Sequence, residues 1–162
     1  MSAQRLNPVG LAIEIFTKIR EEVGENRELG SKLRHRAREG PELIRSMGLI
    51  PTLSFYYAKA RKALVEGGDR EEREEERTKA EEKAYALYLM AIMLYLEKIG
   101  LVKDVSSIFS SQSRPSDKEV HEKLINVLDE LSGKSLIAAR LLNPFLIEFK
   151  RLCEAVWERE RR

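Results

Sequence analysis

Residues 33–49 read LRHRAREGPELIRSMGL and place Arg34, His35, Arg36, Arg38 and Arg45 along one helical stretch. A guanidinium is a rigid fork that donates two parallel hydrogen bonds, which suits phosphate or carboxylate oxygens. At 100° per residue, Arg34, Arg38 and Arg45 fall within about 40° of one another, roughly 100° or more from the centre of the apolar face. That spacing predicts a basic stripe whose guanidinium groups reach solvent. Lys32, His35 and Arg36 widen it, and Glu39 and Glu42 are the acids that oppose it between residues 32 and 47. Lys59, Arg61 and Lys62 on a following helix, and Lys150 and Arg151 near the end of the chain, extend the positive surface. Such a surface binds anions; it does not carry out a reaction. Charge alone fits a phosphate-binding face and an ordinary solvated face equally well.

The other chemically suggestive residues point away from catalysis. GKS at 133–135 has the end of a phosphate-binding loop, but the loop needs a glycine where Leu128 stands, and a preceding strand where the pattern is helical. Gly133 reads as a helix end. His35 and His121 have no partner at metal-ligand spacing, and Cys153 has neither a neighbouring cysteine nor a local histidine. Cys153 falls on the core side of its helix, where a thiol is inert. The acids of EEREEE at 71–76 are interleaved with arginine at helical spacing, which describes a solvated face. No nucleophile–base arrangement is present, so an enzyme is not expected, and neither a cofactor nor a metal is implied.

These residues must be positioned by helices. Asn7-Pro8 is a cap followed by a proline at the first helical position, and Val9, Ile13, Phe16, Ile19 and Val23 follow at helical spacing until Gly24. A second, basic helix over 29–47 buries Leu29, Leu33, Ala37, Ile44 and Met47, with a bend expected at Gly40-Pro41 and a left-handed glycine at Gly48. Pro51 opens a third helix with Leu53, Tyr57, Ala60 and Leu64 inward, broken at Gly67-Gly68-Asp69. A central helix over 70–99 begins charged, with pairs such as Glu74–Arg77 and Glu75–Lys79, then becomes apolar all round over 84–96, so other helices must surround it. The serine-rich stretch 103–117 is a connection. Ser116 and Glu119 form a capping box for a helix carrying Val120, Leu124, Val127, Leu128 and Leu131. The last helix, 135–160, turns Leu142, Phe145, Phe149, Leu152 and Val156 inward, and Pro144 is expected to kink or split it. No period-two alternation supports a strand. The fold class is all-α, a compact bundle of five to six helices in a single domain spanning 1–162.

Composition agrees. The chain of 162 residues is 43% hydrophobic and 35% charged, as a globular protein with a substantial core should be. A net charge of +2 means that any nucleic-acid affinity rests on local segregation of charge. The single cysteine fits a reducing compartment. With no signal-peptide pattern and no apolar run long enough to span a bilayer, a cytoplasmic protein without membrane contact is expected. Few Asn and Gln residues beside abundant Arg and Glu hint at a thermophile. A rival to nucleic-acid binding is a helical protein–protein adaptor whose basic stripe docks on an acidic partner.

The stretch LRHRAREGPELIRSMGLIPTLSFYYAKA (33–60) resembles the signature of the small α-helical subunit of type III-B CRISPR effector complexes, the fifth subunit of the Cmr (RAMP-module) assembly. The pattern is met by Pro41, Ile44-Arg45, Gly48-Leu49, Thr52-Leu53, Phe55 and Lys59. EFKRLCEA (148–155) is similar to that family's C-terminal element through Lys150, Arg151, Glu154 and Ala155. Gly40, Met47, Phe149 and Pro144 depart from the pattern. The resemblance implies a non-catalytic subunit, stacked in several copies along the RAMP backbone subunits and contacting the large polymerase-like subunit at one end. It also implies a place beside guide RNA and target RNA, held by weak, phosphate-directed contacts. The matched basic positions are Arg45, Lys59, Lys150 and Arg151; Arg34, Arg38 and Lys62 join them by their place on the helices.

Overall fold

Short polar residues and glycines set where each helix starts and stops. The computed structural model describes residues 7–64, 74–108 and 116–159, with the backbone alone at 62, 64, 74–78 and 117. The described residues form six α-helices: α1 (Pro8–Val23), α2 (Arg27–Met47), α3 (Leu49–Leu64), α4 (Glu74–Lys98), α5 (Asp117–Ser132) and α6 (Ser135–Val156). The Asn7 side chain accepts from the Val9 N–H at 3.1 Å, Asn26 from Leu29 at 3.0 Å, and Ser116 from Glu119 at 3.2 Å. Each satisfies one of the free donors at a helix start. Gly24 closes α1 with φ of +58° and donates to the Arg20 carbonyl. The expected break at 67–69 and the start of the run EEREEE lie outside the described residues, as do the side chains of Glu74, Glu75, Glu76 and Arg77.

The all-α architecture is as read from the sequence, with α4 at its centre. From Ala84 to Leu96 every residue is buried except half-buried Met90, and α4 packs against α1, α2, α3 and α6. Aromatic rings fix the layers: Tyr95 stacks on Phe145 at 4.4 Å, Tyr88 lies 5.9 Å from Phe149, and Tyr56 meets Tyr88 edge-on at 5.4 Å. One cluster of buried residues draws on all six helices. Beyond α4, the Glu97 carboxylate accepts from the N–H groups of Val105 and Ser106 at 2.8 and 3.1 Å, which fixes the turn that buries Val102, Val105 and Ile108. No helix among the described residues is long and apolar enough to cross a membrane.

Several local expectations are corrected. Val9 and Ile13 are 46% and 53% exposed, and Met47 and Val156 also lie largely in solvent. Their spacing is helical, but they sit at the edge of the apolar stripe where the neighbouring helix does not reach. On α3 the buried ring is Tyr56, not Tyr57; Tyr57 is half-buried and its hydroxyl meets His121 Nδ1 at 3.3 Å. The last helix does not split at Pro144, because α6 runs unbroken through it. Arg140, Asn143 and Pro144 are all exposed, so the carbonyl that proline leaves without a donor can be hydrated. Likewise α2 continues through Pro41. Gly40 has a packing reason: a Cβ there would overlap the Tyr88 hydroxyl and stand 2.6 Å from Tyr88 Cζ. Gly48 has φ of +92° as expected, but with ψ of 163° it is extended rather than left-handed helical. That combination is essentially reserved for glycine, and it lets a single residue turn the chain from α2 into α3.

Candidate nucleic-acid interface

The basic stripe lies on α2 where this helix packs antiparallel to α6. The Trp157 indole lies against Gly30, with no room for a Cβ between them, and one turn further along α2 Arg34 faces Glu154 at 3.8 Å. Both contacts join the start of α2 to the end of α6. Without a side chain at position 30 the two helices close on one another, which brings the basic residues of both onto one surface.

Of the seven candidate binding residues, the structure separates those already satisfied from those facing solvent. Arg34 does not reach solvent as its helical position suggested: its side chain is 13% exposed, it pairs with Glu154, and its Nε is buried without a hydrogen-bond partner among the described residues. Arg36 is similarly enclosed at 12% exposure. It pairs with Glu39 at 3.2 Å, donates to the Tyr85 hydroxyl, and lies 4.5 Å over the Tyr85 ring. Burial raises the Tyr85 pKa, and the Arg36 charge opposes that rise in part. Arg45 is 70% exposed and bonded to Glu42 at 2.8 Å; Arg151 is 68% exposed and bonded to Glu148 at 2.6 Å. Arg38 and Lys59 are exposed and Lys150 half-buried. Lys59 stands 5.8 Å from the Phe55 ring centre. The Lys62 side chain lies outside the described residues.

The remaining reactive groups are occupied or inaccessible. His35 faces Glu39 at 3.6 Å, and His121 packs edge-on against Tyr57. Cys153 is fully buried, and burial pushes its thiol pKa up, assisted by the nearby Glu154 charge and opposed by Arg34. A surface recess of about 440 Å³ at the α1–α2 turn is lined by Gly24, Glu25, Asn26, Arg27 and Trp157.

A second surface escaped sequence reasoning. Along α6, Leu136 and Ile137 are 86% and 61% exposed, and Leu141 and Ile147 are also in solvent. These apolar side chains recur at helical spacing on the side of α6 turned away from the core. The signal was present in the density of apolar residues over 136–149. One helix with apolar residues on both faces has one face to spare.

An all-α bundle with a basic two-helix surface and an unburied apolar stripe has the features of an assembly subunit. Residues 10–155 match the family described as CRISPR-associated protein (Cas_Cmr5), and the chain belongs to that family, the small subunit of the type III-B Cmr effector complex. It is 26% identical over 156 residues to the "CRISPR system CMR subunit Cmr5" of Saccharolobus solfataricus, covering 91% of this chain and 92% of that protein. No solved structure matches the chain. The resemblance read from residues 33–60 and 148–155 is therefore upheld over most of the sequence. The family is named for a subunit of a complex, not for a reaction.

Proposed function

We propose that this chain is a non-catalytic spacer and RNA-lining subunit of the cytoplasmic Cmr complex. It stacks in several copies beside the RAMP backbone subunits, meets the large polymerase-like subunit at one end, and turns its basic α2/α6 surface toward guide and target RNA. The observation that carries this reading is that surface, on a chain whose family assembles into an RNA-guided complex. Its cations are arginine and lysine, and Phe149, next to Lys150, is buried in the core, which favours phosphate contacts over base recognition. A non-catalytic role is supported by histidines engaged with Glu39 and Tyr57 and by a buried thiol. The exposed stripe of Leu136, Ile137, Leu141 and Ile147 supports a protein interface on α6.

The test is photocrosslinking in a reconstituted complex containing guide and target RNA. Crosslinks from α2 and α6 of this chain to RNA are expected. Crosslinks to protein alone would overturn the RNA-lining role and favour the second reading, a helical adaptor without a nucleic-acid role, for which the α6 apolar stripe is the specific observation.

A further inference from the structure

We infer that the anion-binding element of this surface is the pair Arg38 and Lys150, which takes a phosphodiester group between α2 and α6, and that Arg34, Arg36, Arg45 and Arg151 contribute little to it. The inference rests on the RNA-lining role proposed above and specifies which residues perform it.

Four arginines of α2 and α6 already face an acid of the same chain: Arg34 with Glu154, Arg36 with Glu39, Arg45 with Glu42 and Arg151 with Glu148. An approaching phosphate meets a carboxylate beside each guanidinium, so attraction and repulsion nearly cancel. The paired residues are a surface of dipoles rather than of charge. Arg38 and Lys150 differ, for neither has an ion pair or hydrogen bond to any described residue.

Their relative position follows from the helix register. Gly30 meets Trp157 and Arg34 meets Glu154, so each turn forward on α2 is matched by a turn back on α6. Arg38 lies one turn beyond Arg34, and Lys150 one turn before Glu154, each on the same side of its helix as the residue that makes the cross-helix contact. The two cations therefore stand level across the helix pair. Like charges left side by side are unfavourable alone and become favourable when an anion bridges them. Arg38 supplies the fork and Lys150 the point charge.

The experiment measures binding of a uridine-rich single-stranded RNA to the purified chain across a salt series, with thermal unfolding as a check on folding. Arg38→Gln/Lys150→Gln should reduce the steepness of the log–log salt dependence by about 0.7, the loss of one phosphate contact, and each single variant by part of that. The control Glu42→Gln/Arg45→Gln removes an ion pair at constant net charge and should leave the slope unchanged. A folded Arg38→Gln/Lys150→Gln variant with the wild-type slope overturns the assignment, as does a control that loses as much as the double variant. A wild-type chain that binds no RNA sinks the RNA-lining role itself. If the double variant loses binding to polyglutamate while keeping its RNA slope, the pair docks an acidic protein and the inference is wrong.

Discussion

Gly40 on α2 is seated directly on the hydroxyl of Tyr88 on α4, which is fully buried and has no hydrogen-bond partner among the described residues. The glycine that looked like half of a bend is the clearance that lets the central helix carry a tyrosine at this level. Gly40→Ala should destabilise the protein, since about 3 kcal/mol of overpacking exceeds the roughly 1 kcal/mol that alanine gains over glycine in a helix. Tyr88→Phe should by itself be neutral or stabilising by about 1 kcal/mol, because it removes an unsatisfied buried hydroxyl, and it should recover part of the Gly40→Ala loss. Urea unfolding of the two single variants and the double variant measures all three.

Gly48 turns α2 into α3 in a conformation open to glycine alone. Gly48→Ala should lower stability by about 1–3 kcal/mol with little change in helical content. Circular dichroism followed through thermal unfolding checks both parts.

The enclosed pair Arg34–Glu154 joins α2 to α6. Glu154→Gln leaves the Arg34 guanidinium at 13% exposure without its counter-charge and should destabilise by about 1 kcal/mol, the partial exposure of Glu154 holding the effect below that of a fully buried pair. Arg34→Met/Glu154→Met should restore most of the loss. Failure of the second change to restore stability would mean that the pair is held by more than charge.

Burial raises the pKa of Tyr56 and Tyr88 and of Cys153. A raised pKa means that above the ordinary value the unfolded chain releases protons that the folded chain retains. These groups therefore contribute full stability below their unfolded pKa values and lose it as pH rises beyond about 9–10. Stability by urea unfolding should be level from about pH 7 to 8 and fall above it, less steeply in Tyr88→Phe. Reaction of Cys153 with a thiol reagent should occur at the rate of unfolding.

Leu136 and Ile137 on α6 contact solvent, so Leu136→Ser/Ile137→Ser should leave the unfolding midpoint within about 0.5 kcal/mol of wild type. Under the proposed role, the same variant should be depleted from a reconstituted complex. Retention at wild-type stoichiometry would remove α6 from consideration as an interface.

Helix positions were legible because their signals are local. Asn7, Asn26 and Ser116 announce starts, and Gly24 and Gly48 announce ends. The family was legible in residues 33–60 and 148–155. Less visible were facts that depend on neighbours. Tyr56 and Tyr57 differ by 100° around α3, and periodicity alone did not decide which one faced α4. Arg34 was assigned to solvent from a single-helix projection, in which Glu154, more than a hundred residues away, does not appear. Nothing in the local pattern distinguishes a cation that meets an acid across a helix interface from one that does not. The Arg45–Glu42 pair, by contrast, lies three residues apart on one helix and is visible in the sequence.

Trp157 lies just past the end of α6, yet its ring packs on Phe16 of α1 at 5.2 Å and against Gly30 of α2. Phe16 and Gly30 therefore share a cover that comes from more than a hundred residues further along the chain, beside the packing α1 and α2 find on α4. Until α6 has been made, that part of α1 and α2 stays uncovered, so docking of α6 is expected to be a late step of folding.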